Sequence, residues 1–171
     1  MKLQEDSGLV NLWYFDESGF SLNSNVPYAW QDRKKRLNVL SKNSNRLNVL
    51  GLLRRNNDFI SYVFEGNTTN DTVMYFIENF VKNMTGKNVI IMDNAKIHNM
   101  NDKKLLEWSE KGLEIVKLTP YSPELNIIEI FWRFIKYTWL EIEAYKSFEV
   151  LSNYIDNILS LVGIKYKINF A

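Results

Sequence analysis

Three acidic residues stand where a carboxylate could take part in chemistry. Asp16 ends an apolar run at residues 12–15, and Asp93 ends a second apolar run at residues 89–92. Glu129 lies near the start of a long amphipathic stretch. Both apolar runs have the pattern of buried strands, where an isolated carboxylate would be costly. Three converging carboxylates could instead hold divalent cations, and a two-metal site clamps the attacking and leaving oxygens of a phosphodiester.

Each of these acids also has a structural interpretation. Asp16 could simply end a strand, and Asp93 with the asparagine after it could begin a turn. The spacing from Asn126 to Glu129 is that of a capping box, in which the acidic side chain reaches back to the helix start. Glu17 is a further possible ligand, but strand alternation points it to the face opposite Asp16.

The basic residues give a second set of candidates. The net charge is only +1, which by itself does not indicate a nucleic-acid-binding protein. The run Arg33-Lys34-Lys35-Arg36 is nevertheless dense in positive charge. It is either a solvated loop or, beside an acidic metal site, a contact surface for phosphates.

Lys96 and His98 follow Asp93 closely and are further candidates for phosphate contact. His98 is the only histidine of the chain, and a lone histidine is otherwise a loop or structural residue. We therefore keep both interpretations of His98.

Apolar periodicity and turn signals predict the elements that position these residues. They give strands at 9–20, 47–54, 59–64, 89–93 and 113–118, and helices at 70–84, 102–111, from 126 onward and at 148–162. An antiparallel meander followed by β-α-β units is an α/β fold, a mixed sheet with helices on both faces. In it the first and fourth strands can lie side by side at the centre, which places Asp16 near Asp93 and beneath Glu129. Oxygen ligands of this kind favour Mg²⁺ or Mn²⁺.

Bulk properties limit the class of protein. The 171 residues suit a single domain, at 1–171, and no cysteine is present for disulfides or thiolate metal sites. No apolar run approaches the length of a membrane span, and the N-terminus shows no signal-peptide pattern. We therefore expect a cytoplasmic protein that does not engage a membrane.

Three sequence blocks resemble the catalytic blocks of DDE transposases. They are Phe-Asp-Glu-Ser-Gly-Phe at 15–20, Asp-Asn-Ala-Lys-Ile-His at 93–98 and Leu-Thr-Pro-Tyr-Ser-Pro-Glu-Leu-Asn-Ile-Ile-Glu at 118–129. The similarity is greatest to the bacterial insertion-sequence branch of the mariner-type superfamily, and it extends from about Leu9 to Tyr145. The third block is the most specific. One departure is Ile127, which stands where the family usually has proline.

This resemblance implies an RNase-H-like fold in which Asp16, Asp93 and Glu129 are the catalytic and metal-binding triad. It implies two Mg²⁺ or Mn²⁺ ions that cut DNA and join the ends to a target. The implied partners are transposon-end and target DNA, a helix-turn-helix domain or separate product, and a second copy in a homodimer. Family members usually carry the helix-turn-helix region before the first catalytic strand, and we expect the single domain at 1–171 to lack it. The alternatives are an RNase-H-like nuclease of another kind and a non-catalytic DNA-binding remnant.

Overall fold

The computed structural model describes residues 2–22, 45–119 and 125–170. Its strands are β1 at Asn11–Phe20, β2 at Leu47–Leu53, β3 at Phe59–Glu65, β4 at Asn88–Met92 and β5 at Leu113–Lys117. Its α-helices are α1 at Lys2–Asp6, α2 at Asn70–Asn83, α3 at Asp102–Glu110, α4 at Ile127–Phe134 and α5 at Phe148–Ser160. Short 3₁₀ segments occur at Lys96–His98 and Ile142–Lys146.

The strands form one mixed sheet in the order β3-β2-β1-β4-β5. β1 is antiparallel to β2 and parallel to β4, so the predicted pairing of the first and fourth strands is confirmed. The pairing of β1 with β4 ends at Tyr14 and Ile91, whereas its pairing with β2 continues to Phe20 and Leu47. β1 and β4 therefore part just before Asp16.

Two hydrophobic cores cover the sheet, one on each face. Leu12 and Tyr14 of β1 pack with α4 and α5, and Trp13 and Phe15 pack with α2 and with Trp108 of α3. Every residue of β2 is buried. This complete burial arises because helices lie on both sides of the sheet centre. None of the helices in residues 2–22, 45–119 and 125–170 is long and apolar enough to cross a membrane.

The predicted long helix from Asn126 is shorter than expected. α4 ends at Phe134, and the chain continues as a π-helical turn at Ile135–Trp139. The N–H of Leu140 donates to the carbonyl of Ile135 at 3.0 Å, which is the bond of the wider turn. Trp139 lies 4.9 Å from the ring of Tyr166, so the turn packs against the C-terminal segment.

The docking of α4 depends on the absence of a side chain on β2. Gly51 pairs with Asp16 of β1. A Cβ atom on Gly51 would lie 2.8 Å from Cζ2 of Trp132 and 3.0 Å from Cδ1 of Ile128. These distances are too short for ordinary packing, so only glycine allows α4 to approach the sheet this closely at the level of Asp16.

We predict that Gly51→Ala lowers the free energy of unfolding by about 1–3 kcal/mol, because overpacking a filled core forces neighbours to move. Urea denaturation of the wild type and the variant measures the change. Ser61→Ala is the matched control, since Ser61 pairs with Gly51 in the sheet but is exposed. Equal stabilities of the wild type and Gly51→Ala would contradict the close approach.

Candidate active site

Asp16 is the most perturbed carboxyl at the end of the sheet. Burial raises its pKa from 3.8 to about 7, and the negative charges of Glu17, Glu129 and Asp93 add to the rise. A backbone hydrogen bond at Glu17 acts in the opposite direction. Because these charges act on Asp16, the structure brings the three predicted catalytic acids into one electrostatic neighbourhood.

The other two acids approach Asp16 from different elements. Glu129 lies in the first turn of α4, and Asp93 directly follows β4 with its side chain 51% exposed. A shallow cleft of about 260 Å³ holds Asp16 and Glu129, and its lining does not include Asp93. Asp16 and Glu129 therefore share the cleft, while Asp93 stands beside it.

Asn126 fastens the start of α4 to β1. Its side chain is not a helix cap, because its Nδ2 donates to the carbonyl of Phe15 at 3.0 Å. Asn126 is 2% exposed, and Ile127 beside it is buried in the core. The capping-box interpretation is therefore wrong for Asn126, because its side chain does not bond its own helix. Asn126 instead attaches the start of α4 to Phe15, the residue before Asp16.

His98 lies between two of the acids. Its Nδ1 is 2.5 Å from Oδ1 of Asp93, and its Nε2 is 2.9 Å from Oε2 of Glu17. Burial lowers the pKa of His98, but the hydrogen bonds and charges of Glu17 and Asp93 outweigh it and raise the pKa overall. The Glu17 side chain thus bonds the imidazole, and Glu17 also lines the cleft that holds Asp16 and Glu129. The imidazole is fully buried with both nitrogens engaged, so the predicted phosphate contact by His98 does not fit this geometry.

Basic residues border the cleft on α4 and the turn after it. Arg133 and Lys136 line the cleft with Asp16 and Glu129. Burial lowers the pKa of Lys136, Arg46 lowers it further, and Asp16 opposes the shift. The sequence analysis missed Arg133 and Lys136, although their helical spacing from Glu129 was a signal that could have found them.

The other predicted phosphate contacts divide into two groups. Lys96 is exposed on the 3₁₀ turn after Asp93, where a phosphate could reach it. The run Arg33-Lys34-Lys35-Arg36 lies outside the described residues.

The donor set fits a hard divalent cation. Asp16, Asp93 and Glu129 offer only oxygen atoms, the ligands that Mg²⁺ and Mn²⁺ prefer. The raised pKa of Asp16 marks a place where positive charge would be stabilised. Within residues 2–22, 45–119 and 125–170, no three acidic or histidine side chains already form a closed metal cage. The acids are thus grouped, but they are not arranged as a preformed three-ligand site.

Comparison with known proteins identifies the family. Residues 11–152 match the family model described as DDE superfamily endonuclease. The chain belongs to this family. No curated protein matches it at the sequence level. The predicted DDE resemblance is therefore confirmed at the level of the superfamily.

Solved structures show the same fold as this DDE endonuclease domain. A chain of the Mos1 strand transfer complex matches at a TM-score of 0.62 and 11% identity, covering 93% of this chain and 50% of that one. The Mos1 mariner paired-end complex with Mn matches at 0.59 and 12%, covering 93% and 51%. The catalytic domain of Mos1 mariner transposase matches at 0.54 and 11%, covering 93% and 74%. The chain spans about half the length of the first two chains. The predicted RNase-H-like fold is confirmed.

The raised pKa of Asp16 predicts how stability depends on pH. The folded-state pKa of about 7 lies above the ordinary 3.8, so folding favours the neutral carboxyl. This contribution is complete below about pH 4 and is lost as the pH rises through about 7. In the presence of a chelator, the free energy of unfolding should therefore fall as the pH rises from about 4 to about 7. Asp16→Asn should remove much of the fall.

Urea denaturation across the pH series measures this dependence. Asp156→Asn is the control, because Asp156 is exposed on α5. If the free energy of unfolding depends on pH in the same way in Asp16→Asn and Asp156→Asn, the Asp16 carboxyl is not the group that causes the fall in stability.

Proposed function

We propose that this DDE endonuclease domain is the catalytic core of a DNA transposase of the bacterial insertion-sequence branch of the mariner-type superfamily. The observation that supports it best is that Asp93, directly after β4, and Glu129, in α4, both act electrostatically on the carboxyl of Asp16 in β1. The long third sequence block at 118–129 supports the assignment to the insertion-sequence branch. The fold shared with Mos1 transposase supports DNA transposition as the proposed reaction.

In this proposal Asp16, Asp93 and Glu129 would together hold two divalent ions, Mg²⁺ or Mn²⁺. When bound, the ions would supply positive charge that stabilises phosphoryl transfer on a phosphodiester. Asp16 reaches the cleft from a rigid central strand, and Glu129 reaches it from a helix fixed over Gly51. Rigid elements of this kind position a phosphoryl transfer, in which alignment and charge stabilisation dominate catalysis.

The proposed reaction has two steps. Water attacks a phosphodiester, the P–O3′ bond breaks, and the transposon end is released with a 3′-hydroxyl. That hydroxyl then attacks a target phosphodiester, forming one P–O bond as another breaks. Arg133, on α4, and Lys136, on the π-helical turn after it, line the cleft with Asp16 and Glu129 and would neutralise the phosphates that flank the reacting one. Lys96 and the run 33–36 would contact phosphates further along the strand.

The proposed partners are transposon-end DNA, target DNA and a recognition module. Matched Mos1 structures include strand transfer and paired-end complexes, and this chain spans about half of their length. We propose that a helix-turn-helix domain or separate product supplies end recognition to the single catalytic domain at 1–171. A homodimer would hold the two ends together. Cytoplasmic DNA would be the substrate.

We predict that Asp93→Asn lowers Mg²⁺-dependent cleavage by more than about a hundredfold, beyond the effect typical of a residue that only supports a metal ligand. The swap is nearly isosteric, so the thermal unfolding midpoint should change little. Gel assays with a labelled transposon-end duplex measure nicking and strand transfer. Asp156→Asn serves again as the surface control.

Other results of this assay would replace the proposal. Metal-dependent cleavage without strand transfer would indicate an RNase-H-like nuclease of another kind. DNA binding without cleavage by the wild type would indicate a non-catalytic remnant. Cleavage by Asp93→Asn at the wild-type rate would remove Asp93 from the catalytic triad.

We predict that neutralising Arg133 and Lys136 together flattens the salt dependence of DNA binding. Each lost phosphate contact should reduce the slope of log K against log salt by about 0.9. Fluorescence anisotropy at several salt concentrations, with a random duplex, measures the slope. The control is Lys82→Gln with Lys103→Gln, because these exposed lysines lie on α2 and α3 at the other face of the sheet. A slope equal to that of the control would refute the phosphate contact by Arg133 and Lys136. The same assay, with the run 33–36 neutralised, tests whether that run contacts phosphates.

A further inference from the structure

The buried imidazole of His98 joins two strands at the place where their pairing has ended. Its nitrogens reach Asp93 Oδ1 at 2.5 Å and Glu17 Oε2 at 2.9 Å. Glu17 belongs to β1, and Asp93 follows β4. The last paired residues of these strands are Tyr14 and Ile91, so the bridge continues the connection past the sheet ladder.

His98 is held in place independently of Asp93. Its ring meets the ring of Phe15 edge-on, with centroids 5.2 Å apart and planes at 76°. The 3₁₀ turn that carries it is fixed to α2, because the Asn70 amide donates to the carbonyls of Ile97 at 2.9 Å and Asn99 at 2.7 Å. The imidazole therefore does not merely follow Asp93, since core packing and α2 set its position.

The bridge has a directional effect on Asp93. Oδ1 of Asp93 accepts from the N–H of Ala95 at 3.0 Å as well as bonding His98. Within the described parts of the chain, these hydrogen bonds of Asp93 both fall on Oδ1. Oδ2 is consequently the oxygen that can turn to a cation. Without the bridge, a half-exposed aspartate after a strand end would sample several rotamers.

We propose that His98 is a positioning residue, anchored by Glu17, that orients Asp93 so that Oδ2 faces the divalent cation of the cleft. This inference rests on the proposed function, in which Asp93 is a metal ligand. Hydrogen-bonded partners behind a metal ligand typically change metal affinity by about ten- to a hundredfold when they are removed. His98 and Glu17 would then matter to the reaction without touching DNA.

Mn²⁺ binding to the full chain, followed by electron paramagnetic resonance, tests this role without an activity assay. His98→Phe retains a ring against Phe15 and removes both bonds of the bridge. We expect Mn²⁺ binding to weaken about ten- to a hundredfold. Glu17→Gln should weaken it less, and combining both changes should add little, because one bridge is lost in each. Lys103→Gln is the control, since Lys103 is exposed on α3 and the proposed site does not use it.

Cleavage kinetics separate positioning from a merely structural effect. In His98→Phe the Mn²⁺ concentration for half-maximal cleavage should rise, while the rate at saturating metal recovers toward the wild type. If His98→Phe fails to fold, Glu17→Gln carries the test, because Glu17 is partly exposed and its replacement leaves the imidazole in place.

Two results would overturn the inference in distinguishable ways. Wild-type Mn²⁺ affinity in the His98 and Glu17 variants, together with weakened binding in Asp93→Asn, would show that the bridge only supports the fold. The proposed function would then stand. Unchanged Mn²⁺ affinity in Asp93→Asn would remove Asp93 from the metal site, and both the inference and the proposed site would fail.

Discussion

The close contact between α4 and β2 at Gly51 is the constraint on which the catalytic end of this protein depends. Trp132 and Ile128 occupy the space that any larger residue at Gly51 would fill. Because Gly51 is paired with Asp16, this contact sets the height of the helix above the central strand. The Asn126 amide adds a second attachment, at the Phe15 carbonyl. The missing side chain at Gly51 of β2 thus determines where α4, and with it the carboxylate of Glu129, lies.

The same closeness places like charges together. Asp16 is partly buried, and the charges of Glu17, Glu129 and Asp93 raise its pKa further, so the arrangement opposes folding in the absence of a cation. The two hydrophobic cores offset this local penalty, and β2, buried along its whole length, contributes to both. A cation bound at the proposed site would account for this cluster, since groups with strongly perturbed pKa values concentrate at functional sites.

The sequence predicted the framework well because its signals are local. The β-α-β order placed β1 beside β4. Other features depend on contacts between distant segments, and local patterns do not contain them. The Asn126 side chain had two possible partners, its own helix and β1, and only the packed structure shows that it bonds Phe15. The burial of His98 likewise follows from α2 and Phe15, which no spacing around Asp93 reveals.

The strand order also governs how the chain is completed during synthesis. β1 leaves the ribosome early, and its antiparallel partner β2 is the next strand along the chain. Its parallel partner β4 and the helix carrying Glu129 are translated much later, and their contacts require long loops to close. A chain cut short before α4 would expose the apolar face of the meander and would lack one of the three acids. Such a truncated product would be a target for proteolysis and would not contain the complete proposed site.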